Sequence, residues 1–145
     1  MNRRELRQAV RHLIVIVLAL MIVQSGSYAA SPASRYASCA KACLACSEAC
    51  RACNQHCAEM VKNGMKEHEL SMRLSADCRD VCALAAKLCA RNGPMAPEVC
   101  KACARACTAC GTECGKYKTM APMAACAKTC AACRKACEEM IKTGK

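Results

Sequence analysis

The sequence predicts an all-α protein, an antiparallel four-helix bundle with a cysteine-lined core. Three observations carry that expectation. Cysteine recurs at alternating steps of three and four residues in three long segments, which is the inward seam of a helix packed against others. The breaks between segments carry Asn, Gly and Pro where helices end and begin. Nothing in residues 30–145 reads as a strand.

Residues 1–29 read as a signal peptide. Arg3, Arg4, Arg7 and Arg11 form a basic start, Leu13 to Val23 is an apolar run of eleven residues, and Ser27-Tyr28-Ala29 gives a small-x-small cleavage pattern. The run is too short for a stable membrane span; an uncleaved anchor is the alternative. Arg3-Arg4 with Leu6 resembles a twin-arginine signal, although Arg7 stands where an apolar residue is usual. Twin-arginine and general secretion both stay open. The twin-arginine route exports folded protein, so a thiol-rich chain would take up metal in the reducing cytosol first. The expectation is an exported, periplasmic protein of residues 30–145 with no membrane attachment after cleavage.

The first helix carries Cys39, Cys43, Cys46, Cys50, Cys53 and Cys57, and Asn63-Gly64 ends it. The second carries Cys78, Cys82 and Cys89, with Ala85 in the gap and Ser75 and Ser71 on the same line. Leu70, Leu74, Val81, Leu84 and Leu88 run one residue out of phase, as flanking core or as a subunit interface. Asn92-Gly93-Pro94 closes this helix, and Pro97-Glu98 opens the third, which carries Cys100, Cys103, Cys107, Cys110 and Cys114. Thr119 to Pro122 leads into the fourth, with Cys126, Cys130, Cys133 and Cys137. The pattern of residues 41–57 returns in 98–114, a shift of 57 residues that suggests a duplicated helical hairpin. Short breaks imply up-down-up-down topology. Alanine beside most cysteines offsets their poor helix propensity and lets helices approach closely. Lys41, Glu48, Arg51, Lys101 and Arg105 fall away from the stripe.

Composition narrows the function. Eighteen of 145 residues are cysteine, above the roughly 8–10% that marks a cysteine-defined scaffold. Three tyrosines are the only aromatic residues, too few for a base-stacking platform. Without residues 1–29 the net charge falls from +11 to +8, and the charges are scattered as on solvated helix faces, which argues against nucleic acid as a partner. No Ser/His/Asp set, phosphate-binding glycine loop or inward pair of carboxylates appears, so no enzyme is expected.

Cysteine is smaller than leucine, and a seam of it leaves space that metal can fill. Disulfides need Cα atoms about 4.4–6.8 Å apart, whereas packed helix axes lie about 8–10 Å apart. Zinc wants closed sets of four ligands, iron–sulfur motifs use uneven spacing on loops, and redox catalysis needs one reactive pair. Cu(I) accepts two thiolates, and one thiolate can bridge two ions; a continuous row then holds about one copper per cysteine, a ceiling of about 18. The metal ligands expected are the eighteen cysteines. One end of the bundle also collects Met60, Met65, Met72, Met120 and Met123 with His56 and His68. Met60 and Met123 continue the stripes in phase. These groups serve either as a copper entry port, with His56, Met60, His68, Met120 and Met123 as ligands, or as a flexible plug; His56 taken alone reads as a surface helix residue. The opposite end holds Met95 and Met140. Two other readings stay open: a disulfide-bonded structural or redox protein, and a metallothionein-like zinc or cadmium buffer.

Across residues 39–140 the repeated Cys-x-x-Cys-x-x-x-Cys stripes resemble the copper storage proteins, cysteine-rich four-helix bundles that hold many Cu(I) ions. The resemblance implies multiple Cu(I) ions per chain, a Met and His mouth, and a tetramer of bundles. A store of copper, whether for detoxification or for supply to a copper enzyme, has a copper donor or recipient protein as its expected partner. Ser71, Ser75 and Ala85 depart from the full stripe, so copper binding along the second wall is the weakest part of that expectation.

Overall fold

A computed structural model describes residues 36–143 together with Asn2, Arg4, Glu5, Gln8 and His12. The chain divides into two units, Met1–Pro32 and Ala33–Lys145. In the first, Arg4, Glu5, Gln8 and His12 are helical and exposed. The apolar run and cleavage pattern of the expected signal peptide lie outside the described residues. No helix among the described residues is long and apolar enough to cross a membrane.

The second unit is the expected bundle: α1 (Ala37–Lys62), α2 (Glu69–Ala90), α3 (Ala96–Cys114) and α4 (Ala121–Thr143). Short 3-10 turns, Lys66–His68 and Gly115–Tyr117, lie between α1 and α2 and between α3 and α4. Each helix packs on the next and α4 returns to α1, which closes an up-down-up-down ring. The described residues contain no strand.

The turn chemistry ends the helices as expected, with one difference in detail. After α1, Gly64 takes the left-handed conformation (φ 92°). Its N–H donates to the Val61 carbonyl and that of Met65 to the Met60 carbonyl, both at 3.0 Å, so two orphan carbonyls of the last turn are satisfied. After α2 the left-handed residue is Asn92 (φ 51°), not its glycine neighbour. Gly93 instead donates to the Leu88 carbonyl at 2.8 Å, and a Cβ there would sit 3.3 Å from that oxygen. Pro97 lies in the first turn of α3, where no N–H is needed.

Two side chains fix α2 against α1. Ser47 Oγ donates to the Arg79 carbonyl at 3.1 Å, and Asn54 Nδ2 to the Met72 carbonyl at 2.7 Å. They stand seven residues apart on α1 and so repeat on one side of the helix. On the other hairpin, α3 meets α4 closely at Gly111, where a Cβ would lie 3.1 Å from the Cys130 Cβ. The leucine stripe of α2 divides: Leu88 is buried, Leu74 and Val81 are half-buried, and Leu70 and Leu84 are 46% and 49% exposed. It therefore flanks the core at one end and stands open along part of its length.

Candidate metal centre

All eighteen cysteines are buried, and none is joined to another by a disulfide. Residues four apart on one helix bring sulfurs together, as in Cys39–Cys43 at 3.9 Å and Cys78–Cys82 at 3.8 Å. Cross-helix pairs are as short: Cys82–Cys103 and Cys89–Cys100 at 3.4 Å, Cys53–Cys114 at 3.5 Å, Cys50–Cys126 at 3.6 Å. Steps no longer than 4.0 Å link every one of the eighteen sulfurs into a single network. The heptad is visible in three dimensions. Cys39–Cys100, Cys46–Cys107 and Cys53–Cys114 are diagonal pairs at successive levels, each 61 residues apart in sequence. Many short pairs cross from the α1–α2 hairpin to the α3–α4 hairpin, including Cys43–Cys137, Cys46–Cys130 and Cys82–Cys107.

The donor set discriminates among metals. Sulfurs gather in fours, among them Cys43/Cys103/Cys133/Cys137 and Cys46/Cys78/Cys107/Cys130. The fours overlap, however: Cys46 and Cys107 also belong with Cys82 and Cys133, and Cys78 and Cys130 with Cys50 and Cys110. Closed tetrahedral zinc sites would need those sulfurs twice. Soft two-coordinate ions bridged by shared thiolates have no such conflict. With metal–sulfur bonds of about 2.3 Å, a linear site sets its sulfurs about 4.6 Å apart, so a pair in contact at 3.4 to 4.0 Å would part slightly to hold an ion between them. Cysteine has one side-chain torsion to do it with.

The thiols do not titrate one by one. Burial, followed by the hydrogen bond with Cys100, pushes the Cys89 thiol up. Hydrogen bonds with Cys100 and Cys103, with burial, hold Cys43 up. Cys103 is held down because Cys107 and Cys133 can donate to its thiolate. The charge left at one sulfur is thus shared with its hydrogen-bonding neighbours, so the thiols titrate as coupled sites.

The Met and His end follows the sulfurs at the close of α1 and α3. His68 and Met123 are buried, whereas His56, Met60, Met65, Met72 and Met120 are half-buried. His56 is therefore not the surface residue its position suggested: its Nε2 is buried, and like Nδ1 of His68 it has no hydrogen-bond partner. Ser71 and Ser75 stay on the inward line of α2, fully buried. Ser75 Oγ donates to the Met72 carbonyl at 3.0 Å, and Ser71 Oγ lies 3.5 Å from Glu113 Oε1. Glu113 went unnoticed in the sequence. It is 6% exposed and accepts from Lys116 Nζ at 2.6 Å. Its place at the end of α3, next to Cys114, was the only signal. At the opposite end Tyr36, Leu88, Ala96 and Met140 are buried and Met95 is exposed.

Comparison with known proteins agrees with this geometry. The profile of the copper storage protein family matches residues 32–142. Apo-Csp3, copper storage protein 3 from Bacillus subtilis, superposes with a TM-score of 0.63 at 38% identity, covering 72% of this chain and 96% of that one. A cytosolic copper storage protein from Streptomyces lividans, in a structure described as copper loading with five coppers, gives 0.62 at 32% identity, covering 74% and 92%. An uncharacterized cysteine-rich protein of Bacillus subtilis, YhjQ, is 49% identical over 53 residues, 35% of this chain. That match spans about half of its length (49%). The chain belongs to the copper storage protein family.

Proposed function

We propose that this protein is an exported store that sequesters many Cu(I) ions on its core thiolates. One observation carries the reading: eighteen buried sulfurs form one network with steps of 3.4 to 4.0 Å. Each ion takes two sulfurs and each sulfur serves two ions, so capacity approaches one copper per cysteine, about 18. Storage, not turnover, is the activity. The helices are already formed, so loading changes helicity little. Copper passes to and from a donor or recipient protein at the end where His56, Met60, His68, Met120 and Met123 supply weaker donors than thiolate. A tetramer of bundles is the assembly proposed, and Leu70 and Leu84 supply exposed apolar surface for it.

Export rests on residues 1–29, which precede the family match at residue 32. The Streptomyces relative is described as cytosolic; the basic start, apolar run and Ser27-Tyr28-Ala29 support a periplasmic location for this chain. N-terminal sequencing of the exported protein is expected to begin at Ala30, and an intact Met1 on cytosolic protein overturns this part.

An anaerobic Cu(I) titration of reduced protein against a coloured chelator tests the store itself. Tight uptake of more than about ten ions is expected. Saturation at one or two, or a fresh preparation with no countable thiols, overturns it. Preference for zinc or cadmium in competition favours the metallothionein-like buffer. Replacing Cys107 and Cys110 by Ser lowers capacity by about two with the helices intact; unfolding would make those sulfurs structural.

A further inference from the structure

One histidine at the Met and His end is held in a way that simple packing does not require. His68 is 2% exposed, and its Nδ1 is buried without a hydrogen-bond partner. Leaving such a nitrogen unsatisfied is costly, and folded interiors seldom keep one without a use for it. The residue also stands in phase with the inward line of α2: from 68 the steps to Ser71, Ser75, Cys78 and Cys82 are three, four, three and four. A soft donor thus heads the one wall on which two serines interrupt the sulfurs.

A single neighbour fixes this imidazole from two directions. Tyr117 packs its ring against His68 with centroids 4.5 Å apart and planes at 49°. Its hydroxyl donates to the Glu67 carbonyl, one residue before His68, at 3.3 Å. Both residues are the last of their 3-10 turns, so the contact ties the α3–α4 connection to the α1–α2 connection. Lys116, in the same turn as Tyr117, is anchored to the buried carboxylate of Glu113. The turn that carries the tyrosine is therefore itself held down.

We infer that Tyr117 is a positioning residue for copper transit: it clamps His68 so that a buried, unpaired nitrogen stays ready to take a Cu(I) ion between the outside and the thiolates. The inference rests on the storage reading above. Imidazole holds Cu(I) less tightly than thiolate, so an ion at His68 moves on. A transit ligand lowers one barrier, which is crossed in both directions. Loss of the clamp therefore slows loading and removal alike and leaves capacity unchanged, whereas loss of a plug speeds both.

Stopped-flow transfer tests this on the full chain. Copper is followed from a coloured Cu(I)–chelator complex into apo protein, and from loaded protein into excess chelator. Tyr117→Phe keeps the ring and loses the hydrogen bond; it is expected to slow both directions about fivefold, the worth of one such bond. Tyr117→Leu slows them further, and His68→Ala at least as much. Because Tyr117 acts through His68, adding Tyr117→Phe to His68→Ala causes no further loss. Tyr36→Phe at the other end changes neither rate. Unaltered or faster transfer in both Tyr117 variants, or additive losses in the double variant, overturns the clamp. Circular dichroism confirms that each variant is folded. Capacity, read from the same loading, reports on storage separately. Low uptake by the unmodified chain overturns the storage reading and the clamp with it; full uptake with unaltered rates overturns the clamp alone.

Discussion

The two ends of the bundle are built from opposite materials. Tyr36, Leu88, Ala96 and Met140 close one end with buried apolar surface, and Cys89 and Ala85 continue it inward. The other end buries His68, Ser71, Ser75 and Glu113, and both unpartnered buried side-chain nitrogens among the described residues lie there. Hydrophobic burial accounts for the first end without further argument. The second keeps polar groups that stability alone would replace. An interior of uniform thiols thus has one end sealed by apolar side chains and one that keeps costly polar groups.

The largest expected effect separates thiols from thioethers. Copper must displace protons from sulfurs such as Cys89 and Cys43, whose thiols are held up. Affinity therefore rises with pH and is lost as pH falls. With each thiolate shared by two ions, one proton is displaced per ion at full loading, so affinity drops about tenfold per pH unit. Met60, Met120 and Met123 carry no proton to displace, so binding at these thioethers flattens toward acid. Chelator competition across a pH series reads both behaviours, and a flat profile for bulk uptake breaks the distinction.

Stability gives the next contrast. Tyr36→Ala opens a cavity at the sealed end and costs about 3 kcal/mol in denaturant unfolding of the apo protein, with capacity intact. His68→Leu removes an unsatisfied nitrogen and raises apo stability by about 1 kcal/mol, while copper exchange slows. Equal losses in both variants would make the two ends alike. Ser71→Cys with Ser75→Cys extends the α2 row toward His68 and adds about one copper per sulfur, measured by titration. Smallest is Gly111→Ala. The gain in helix propensity, about 1 kcal/mol, is set against a Cβ placed 3.1 Å from that of Cys130, and the melting temperature moves little.

Much of this was legible before any coordinates. The steps of three and four name all eighteen inward cysteines and set Ser71 and Ser75 on the same buried line of α2. Asn63-Gly64 and Asn92-Gly93 marked both helix ends, although only packing against Leu88 decided that Asn92, and not Gly93, takes the left-handed turn. Grouping the methionines and histidines at one end needed only helix order and short connections. The burial of the His56 Nε2 is not legible in the sequence, because it depends on tertiary packing around the end of α1. Glu113 and Tyr117 were missed because neither lies in a repeating pattern.

What the sequence determined by itself is which side of each helix faces inward, because helical periodicity is a local property of the backbone and cysteine marked it at nearly every turn. What only the tertiary structure decided is which residues meet across the bundle. The duplication sets Cys43 and Cys50 in correspondence with Cys100 and Cys107, yet the sulfurs that meet at 3.8 Å are Cys39–Cys100 and Cys46–Cys107, one turn away. Register, the overlap of the sulfur fours and the grip of Tyr117 on His68 all depend on how far one helix slides and turns against another. That is set by the whole packed interior, with Ser47, Asn54 and Gly111 among its determinants, and no single helix encodes it.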